Sequence, residues 1–404
     1  MIAAGIVILV LLGIHYAVVI TLFAYGLRRT LRDAPASSPE PALPEALPFV
    51  SVIIPARNEE RCIAACVESV LNCDYPTDRF EVIVIDDAST DKTSEIVTKL
   101  RRSYVEAGIT VSGEPLDPET SVDQRLHLIT LRPRKNGTAF GKRSALEIGI
   151  RTARGPLILA TDADCIVPRG WIRTMAQAFE EDTGFVSGPV LYRTEGGAWN
   201  RMQALEFLSL VAVGAGAIGL NNPILCNGAN IAYRKDVYKS LGGFGDKVQN
   251  APGEEELLMH TVARSALWQV RFCHSPEAAV ITDPVPTVRD FVHQRARWAS
   301  LVPRFPDPLL LLSLFGIFYF YVLLIAGTIA LPFAPYLWPV MIAAWGLKVL
   351  PEFAVVYRAC RHFGQSKLLR YFIPAQLLHP LYVVYCATAG VLGRYTWKGL
   401  SARS

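Results

Sequence analysis

Charge is missing from both ends of this sequence. No aspartate, glutamate, lysine or arginine occurs between Met1 and Leu27, and only nine occur from Leu309 to Ser404. With 51% apolar and 19% charged residues, the 404-residue chain is too apolar for an ordinary soluble domain. Roughly a quarter of the residues in between are charged, the usual level of a soluble body. The pattern excludes a disordered chain, and the charged middle excludes a transporter built of spans alone. The eight cysteines, at 62, 66, 73, 165, 226, 273, 360 and 386, form no C-x-x-C and no paired spacing. That excludes a zinc module and a secreted disulfide scaffold, so they read as reduced packing residues. No G-x-G-x-x-G follows a strand-like run and no G-x-x-x-x-G-K-[ST] occurs, so neither dinucleotide redox chemistry nor P-loop phosphoryl transfer is supported. A net charge of +4 is too small to argue for nucleic acid.

What is there begins with an anchor. Residues 1–27 would rise about 40 Å as a helix, more than the roughly 30 Å of a bilayer's hydrocarbon core. A cleaved leader carries positive charge ahead of its apolar core. Here Arg28, Arg29 and Arg32 follow it, which predicts an uncleaved transmembrane anchor with the body on the cytoplasmic side of the inner membrane. Residues 28–48, with Pro35, Pro39, Pro41, Pro44 and Pro48, read as an extended linker. Residues 309–393 supply three more candidate spans, Leu309–Leu331, Pro335–Tyr357 and Tyr371–Gly393. Lys348 and Glu352, at i and i+4 inside the second, either line a functional path, form a satisfied internal pair or mark a shorter span. Arg358, Arg361, Lys367 and Arg370 mark a cytoplasmic loop. Four crossings would leave the 394–404 tail outside, whereas Arg394, Lys398 and Arg403 argue for inside. That conflict leaves room for one C-terminal segment to be re-entrant or interfacial. The apolar run Ala204–Leu220 is short for a span and reads as a buried or interfacial helix.

Residues 49–300 form the charged body. Phe49–Pro55, Phe80–Ile85, Leu126–Leu131 and Leu157–Ala160 are short apolar runs that read as buried strands, the first stopped by its proline. Helices are expected between them. One is capped by Asn58 and carries Ile63, Val67, Val70 and Leu71 on its inner face; another runs from Lys142 to Arg154. Strands alternating with helices predict an α/β fold with a mostly parallel, Rossmann-like sheet. Ligands bind beyond the carboxyl ends of such strands, where Pro55–Glu59, Asp86–Asp91 and Asp162–Asp164 fall. The insert 103–125 shows no clear pattern, and the glycosylation sequon Asn136-Gly137-Thr138 is a coincidence in a cytoplasmic domain.

Each cluster has two readings. Asp162 and Asp164 close a buried strand two residues apart, so they either hold a hard cation such as Mg²⁺ or Mn²⁺ or are a solvated turn pair. Lys142 opens a helix, where it binds phosphate oxygens or is a surface lysine. Asp86 and Asp87 accept from a nucleoside or cap the helix after Thr90. Glu254, Glu255 and Glu256 share a first helical turn, where they compensate the dipole or crowd one another into a general base. Gln294, Arg297 and Trp298, at i, i+3 and i+4 on a helix near 287–304, lie on the membrane surface or line a site for phosphate and sugar.

Val52-Ile-Ile-Pro-Ala-Arg-Asn-Glu59, Val84-Ile-Asp-Asp-Ala-Ser-Thr-Asp91, Gly141-Lys142, Thr161-Asp-Ala-Asp164, Cys226-Asn-Gly-Ala-Asn230, Gly253-Glu-Glu255 and Gln294-Arg-Ala-Arg-Trp298 resemble, in order, the motifs of membrane-integrated family-2 glycosyltransferases. Cellulose, hyaluronan and poly-N-acetylglucosamine synthases share this plan. The resemblance implies a GT-A fold, a UDP-sugar donor, Mg²⁺ or Mn²⁺, and inverting transfer to a glycan or lipid-linked acceptor in polysaccharide biosynthesis. By motif position, Pro55, Arg57, Glu59, Asp86 and Asp87 would line the nucleoside pocket. Lys142 and Asp162 would contact the donor, and Asp164 with Asp162 the metal. Asn227, Gly228 and Asn230 would face the acceptor, and Gln294, Arg297 and Trp298 the diphosphate and acceptor. Glu255 stands where the family usually places an aspartate base. Processive extension, alone or with an oligomeric or export partner, and single transfer to a polyprenyl phosphate or glycolipid both fit these residues. A non-catalytic synthase partner is the reading from another class.

Overall fold

In the computed structural model the described residues are 2–32, 47–106, 125–133, 140–244, 253–304, 307–397 and 400–401. The proline-rich segment 33–46, most of the 103–125 insert and the sequon lie outside them.

The first helix, α1 (Ile2–Arg32), continues past the expected boundary at Leu27, so Arg28, Arg29 and Arg32 ride on its last turns. Then follow β1 (Val50–Ala56), α2 (Ile63–Leu71), β2 (Phe80–Asp86), α3 (Thr93–Glu106), β3 (Leu126–Thr130), α4 (Lys142–Thr152) and β4 (Leu157–Ala160). β3, β2, β1 and β4 are neighbours in that order and all parallel. Side chains alternate between the faces: Val50, Val52 and Ile54 join one core while Ile53, Ile83 and Ile85 join the other. α2 turns Ile63, Cys66, Val67, Val70 and Leu71 inward, the spacing of a helical stripe.

Two local expectations are corrected. Pro55 does not end its strand but pairs with Ile85 inside β1. β4 stops at Ala160, opposite Ile53, so the N–H that proline lacks falls where no ladder bond is needed. Asn58 does not cap α2, which starts later behind Cys62. Its amide oxygen instead accepts from Thr90 N at 2.8 Å, joining the loops after β1 and β2.

The second half adds α5 (Trp171–Gln177), β5 (Thr183–Ser187), β6 (Val190–Tyr192), α6 (Ala198–Gly219), β7 (Ile231–Arg234), α7 (Lys235–Ser240), α8 (Glu254–Arg264), β8 (Gln269–Phe272), β9 (Val280–Thr282) and α9 (Val288–Ala299). β7, β5 and β8 extend the sheet to seven strands, β7 alone running antiparallel. β6 and β9 form a small parallel pair. α10 (Pro308–Ala330), α11 (Trp338–His362) and α12 (Phe372–Val391) follow, then a pair of short antiparallel strands, β10 (Thr396–Trp397) and β11 (Leu400–Ser401).

Among the described residues five helices are long and apolar enough to cross a membrane: α1, α6, α10, α11 with the turn before it, and α12 with the turn before it. α6 is longer than the run Ala204–Leu220 suggested, yet most of it is buried, against α1 and α11 among others. It meets α1 backbone to backbone: a methyl group on Gly26 would lie 2.0 Å from the Gly216 carbonyl oxygen, and one on Gly219 2.3 Å from that of Gly26. Such contacts between small residues let helices approach closely. Lys348 and Glu352 form the satisfied internal pair. Lys348 Nζ lies 2.9 Å from Glu352 Oε1 and 3.3 Å from His379 Nδ1, and also donates to Gln376. Glu352 accepts from Tyr16 and, at 2.6 Å, from Gln376 Nε2.

Candidate active site

The polar loops emerge at the carboxyl edge of the parallel strands. Asp86, the last residue of β2, and Asp87, which follows it, are both buried. Asp86 accepts from Ser89 N at 3.0 Å, while the two oxygens of Asp87 accept from Phe140 N at 2.8 Å and Gly141 N at 2.7 Å. Neither caps α3. Asp91 takes that place, accepting from Thr93 N at 3.0 Å and from Glu60 N at 3.0 Å. Asp87 thus fixes the turn into α4, and Gly141, with φ of +91°, supplies a backbone angle that other residues rarely adopt. Pro55, near the end of β1, and Arg57 and Glu59, on the loop that follows it, are half-buried.

Lys142, the first residue of α4, is the centre of the site. Its ammonium lies 2.7 Å from Asp162 Oδ1, beyond β4, and 2.8 Å from Glu255 Oε1, in the first turn of α8. Burial works against the charge, but Asp162, Glu255 and Glu254 outweigh it and hold the Lys142 pKa well above the ordinary lysine value. Glu255 is 5% exposed. Gly228 packs on its carboxylate so closely that a methyl group there would sit 2.4 Å from Oε1. Burial and the adjacent Glu255 push Glu254 up to about 8, and Glu256 likewise to about 8. Arg297 of α9 faces the same group: burial pushes it down, and Asp162, Glu254 and Glu255 pull it back.

Asp164 is exposed and Asp162 half-buried at the mouth. Among the described residues no group of three or more His, Cys, Asp or Glu side chains is arranged to cage a metal. Two carboxylate donors on a strand end fit a cation such as Mg²⁺, which takes its other ligands from water and substrate phosphates.

Asn227 and Gly228 are half-buried in the loop before β7, but Asn230 is fully buried and its amide is used up. It donates to Pro189 O and Ala278 O, both at 2.8 Å, and accepts from Trp171 Nε1 at 2.9 Å. It holds the loop from beneath rather than facing an acceptor.

The Gln294–Trp298 turn divides its work. Arg297 faces the carboxylates, whereas Gln294 accepts from Tyr192 at 3.3 Å and Trp298 packs 6.0 Å from Phe207, centroid to centroid. Arg295, between them, is not marked as a site residue by the sequence pattern. Arg295 lies 4.2 Å over the Trp298 ring and pairs with Glu206 of α6, its Nε 3.0 Å from Oε1. Tyr382 of α12 donates to the same carboxylate at 3.0 Å. The signal was present in the lone acidic residue of an apolar run.

Comparison with known sequences adds the family. The profile described as "Glycosyltransferase like family 2" matches residues 48–300. The chain belongs to that family. Its match to a probable glycosyltransferase of Bacillus subtilis is 27% identical over 259 residues, covering 63% of this chain and 55% of that protein. A β-monoglucosyldiacylglycerol synthase of Synechocystis is 26% identical over 281 residues, covering 68% of this chain and 52% of that protein. The chain spans about half the length of the curated relatives it matches. A mannosyltransferase structure from Pyrobaculum calidifontis, in complex with GDP-Man and Mn²⁺, covers 94% of this chain and 99% of its own, with a TM-score of 0.53 and 22% identity. The fold of this family-2 glycosyltransferase domain is GT-A, with apolar helices flanking a mostly parallel sheet.

Proposed function

We propose that this protein is a membrane-bound, inverting glycosyltransferase that moves a sugar from a UDP-sugar to a hydroxyl of a lipid-linked or glycan acceptor at the membrane surface. The observation that carries the reading is Lys142 lying between Asp162 and Glu255, with Arg297 facing the same carboxylates. The spans would be α1, α10 and α11, and the basic residues Arg28, Arg29 and Arg32 favour a cytoplasmic body.

In this reading Pro55, Arg57 and Glu59 line the nucleoside pocket, and Asp87 shapes it by holding the turn at Gly141. Lys142 and Arg297 offset the negative charge that grows on the leaving diphosphate. A divalent cation on Asp162 and Asp164 would add to that screening. A diphosphate arriving at Lys142 competes for the ammonium that now pairs with Glu255, leaving that carboxylate to take the acceptor proton. One carboxylate base and no enzyme nucleophile give a single displacement, hence inversion.

The test is turnover of radiolabelled UDP- and GDP-sugars by the protein in detergent, with and without Mg²⁺ or Mn²⁺. Transfer from a UDP-sugar that requires metal and vanishes in Asp164→Ala is expected; equal turnover without metal removes the cation from the reading. The match of Gln294, Arg297 and Trp298 to a motif of polymer synthases favours processive extension as a second reading. Product sizing separates the two, a ladder against one added sugar.

A further inference from the structure

α12 is 20 residues long, which gives about 30 Å of helix and would suffice for a crossing. It also exposes an apolar stripe: Ile373, Leu377, Leu381, Tyr385 and Val391. Yet both its ends are fastened to the body that carries the cleft. Ahead of it, His362 closes α11 with a 2.7 Å hydrogen bond to the His274 carbonyl, just after β8. Tyr371 then bonds Arg201, in the first turn of α6, at 3.1 Å. That turn is held to the body in turn, since Gln203 donates to Val285 O at 3.0 Å and Trp199 meets Phe291 of α9 at 5.3 Å.

The far half of α12 runs in step with α9. Tyr382 lies 5.2 Å from Phe291, ring to ring, and Cys386 Sγ lies 3.7 Å from Val292 O. A methyl group on Gly390 would be 2.4 Å from Ala296 O, and Tyr395 bonds Ser300 at 3.0 Å. α9 begins after β9 and carries Arg297 to the cleft, so it stays on one side of the bilayer. A helix laid along it with advancing contacts, and tied to the body before its first turn, has no length left to reach the other side.

We propose that α12 is a re-entrant helix, set in the leaflet beside the cleft with its apolar stripe against acyl chains, and that the chain after it emerges on the catalytic side. Three crossings remain, α1, α10 and α11, and this resolves the conflict between four spans and the positive charge at Arg394. The proposal rests on the membrane-bound reading above. It also places the cleft mouth near the level of the lipid head groups.

The experiment uses the full chain with one added cysteine, Phe333→Cys in the turn between α10 and α11, Ser366→Cys before α12, or Arg394→Cys after it. Sealed inverted and right-side-out vesicles are treated with a membrane-impermeant maleimide, against the unsubstituted protein as background. Ser366→Cys and Arg394→Cys should react from the same face, the one that turns over nucleotide-sugar, and Phe333→Cys from the opposite face. Reaction of Ser366→Cys and Arg394→Cys from opposite faces overturns the proposal while leaving the membrane-bound reading intact. Release of the protein by alkaline carbonate overturns both. If a variant fails to accumulate, a reporter joined after Ser404 that fluoresces only on the catalytic side replaces it: fluorescence supports the re-entrant helix, and a dark, full-length fusion overturns it.

Discussion

Among the described residues, lysine pairs with carboxylate in two places, and they differ in how the charges are satisfied. Between the apolar helices α1, α10, α11 and α12, Lys348 and Glu352 are enclosed by Tyr16, Tyr321, Gln376 and His379, and each charge meets several partners. In the cleft, Lys142 and Arg297 face Asp162, Glu254, Glu255 and Glu256, more carboxylates than cations, with Asp162 half-open to solvent. The first arrangement fixes helices. The second is built of ion pairs that a ligand can exchange, since Lys142 pairs with Asp162 at a half-open mouth while Glu254 and Glu256 are pushed toward the protonated form.

The sharpest way to break this contrast is Glu255→Gln, which keeps the shape and removes the base. Sugar transfer should fall by about 10²- to 10⁴-fold with melting behaviour unchanged; full turnover would show that Glu255 is not the base. In the other region Lys348→Leu leaves Glu352 without its cation and should cost about 3–5 kcal/mol of stability, whereas Lys348→Leu with Glu352→Leu recovers most of it. Thermal unfolding in detergent reads both, and equal losses would mean that the pair is not the unit. Between the two regions, Glu206→Gln should lower turnover by about tenfold, equivalent to 1.4 kcal/mol, by loosening Arg295 and with it α9. A double-mutant cycle with Arg295→Met should show coupling, and strict additivity would sever α6 from the site.

The smallest effect concerns pH. Glu254 and Glu256, with folded values of about 8, are protonated in the folded chain at neutral pH. The stability this gives is complete below the ordinary carboxylate range and is lost as pH rises through about 8. Glu256→Gln should therefore reduce the drop in melting temperature between pH 7 and 9, and an unaltered slope would count against a buried, protonated Glu256.

The strands were legible because apolar β-branched runs bounded by turn residues leave little choice, as at Val50–Ala56 and Phe80–Asp86. Pro55 was misleading because its effect depends on where the next strand stops, a fact of pairing and not of local sequence. The acidic and basic clusters could be named, but not how Lys142 would join Asp162 to Glu255, since those residues come from three separate elements. Asn230 shows the reverse limit: a polar residue in a motif reads as facing a ligand, while its amide is spent on Trp171 and two carbonyls. The start of α6 is hidden in the sequence because its first turns, Ala198–Gln203, are not apolar, although those turns fasten it to the body.

The glycine contact between α1 and α6 has a mechanical meaning. With Gly26 seated against Gly216 and Gly219, the first helix cannot swing like a string from the body, and in the membrane-bound reading proposed above it acts as a keel that sets the body's tilt and depth. In that reading a substitute anchor of equal length and greasiness would still enter the bilayer, but it would carry the body at another angle and take the cleft away from the proposed acceptor.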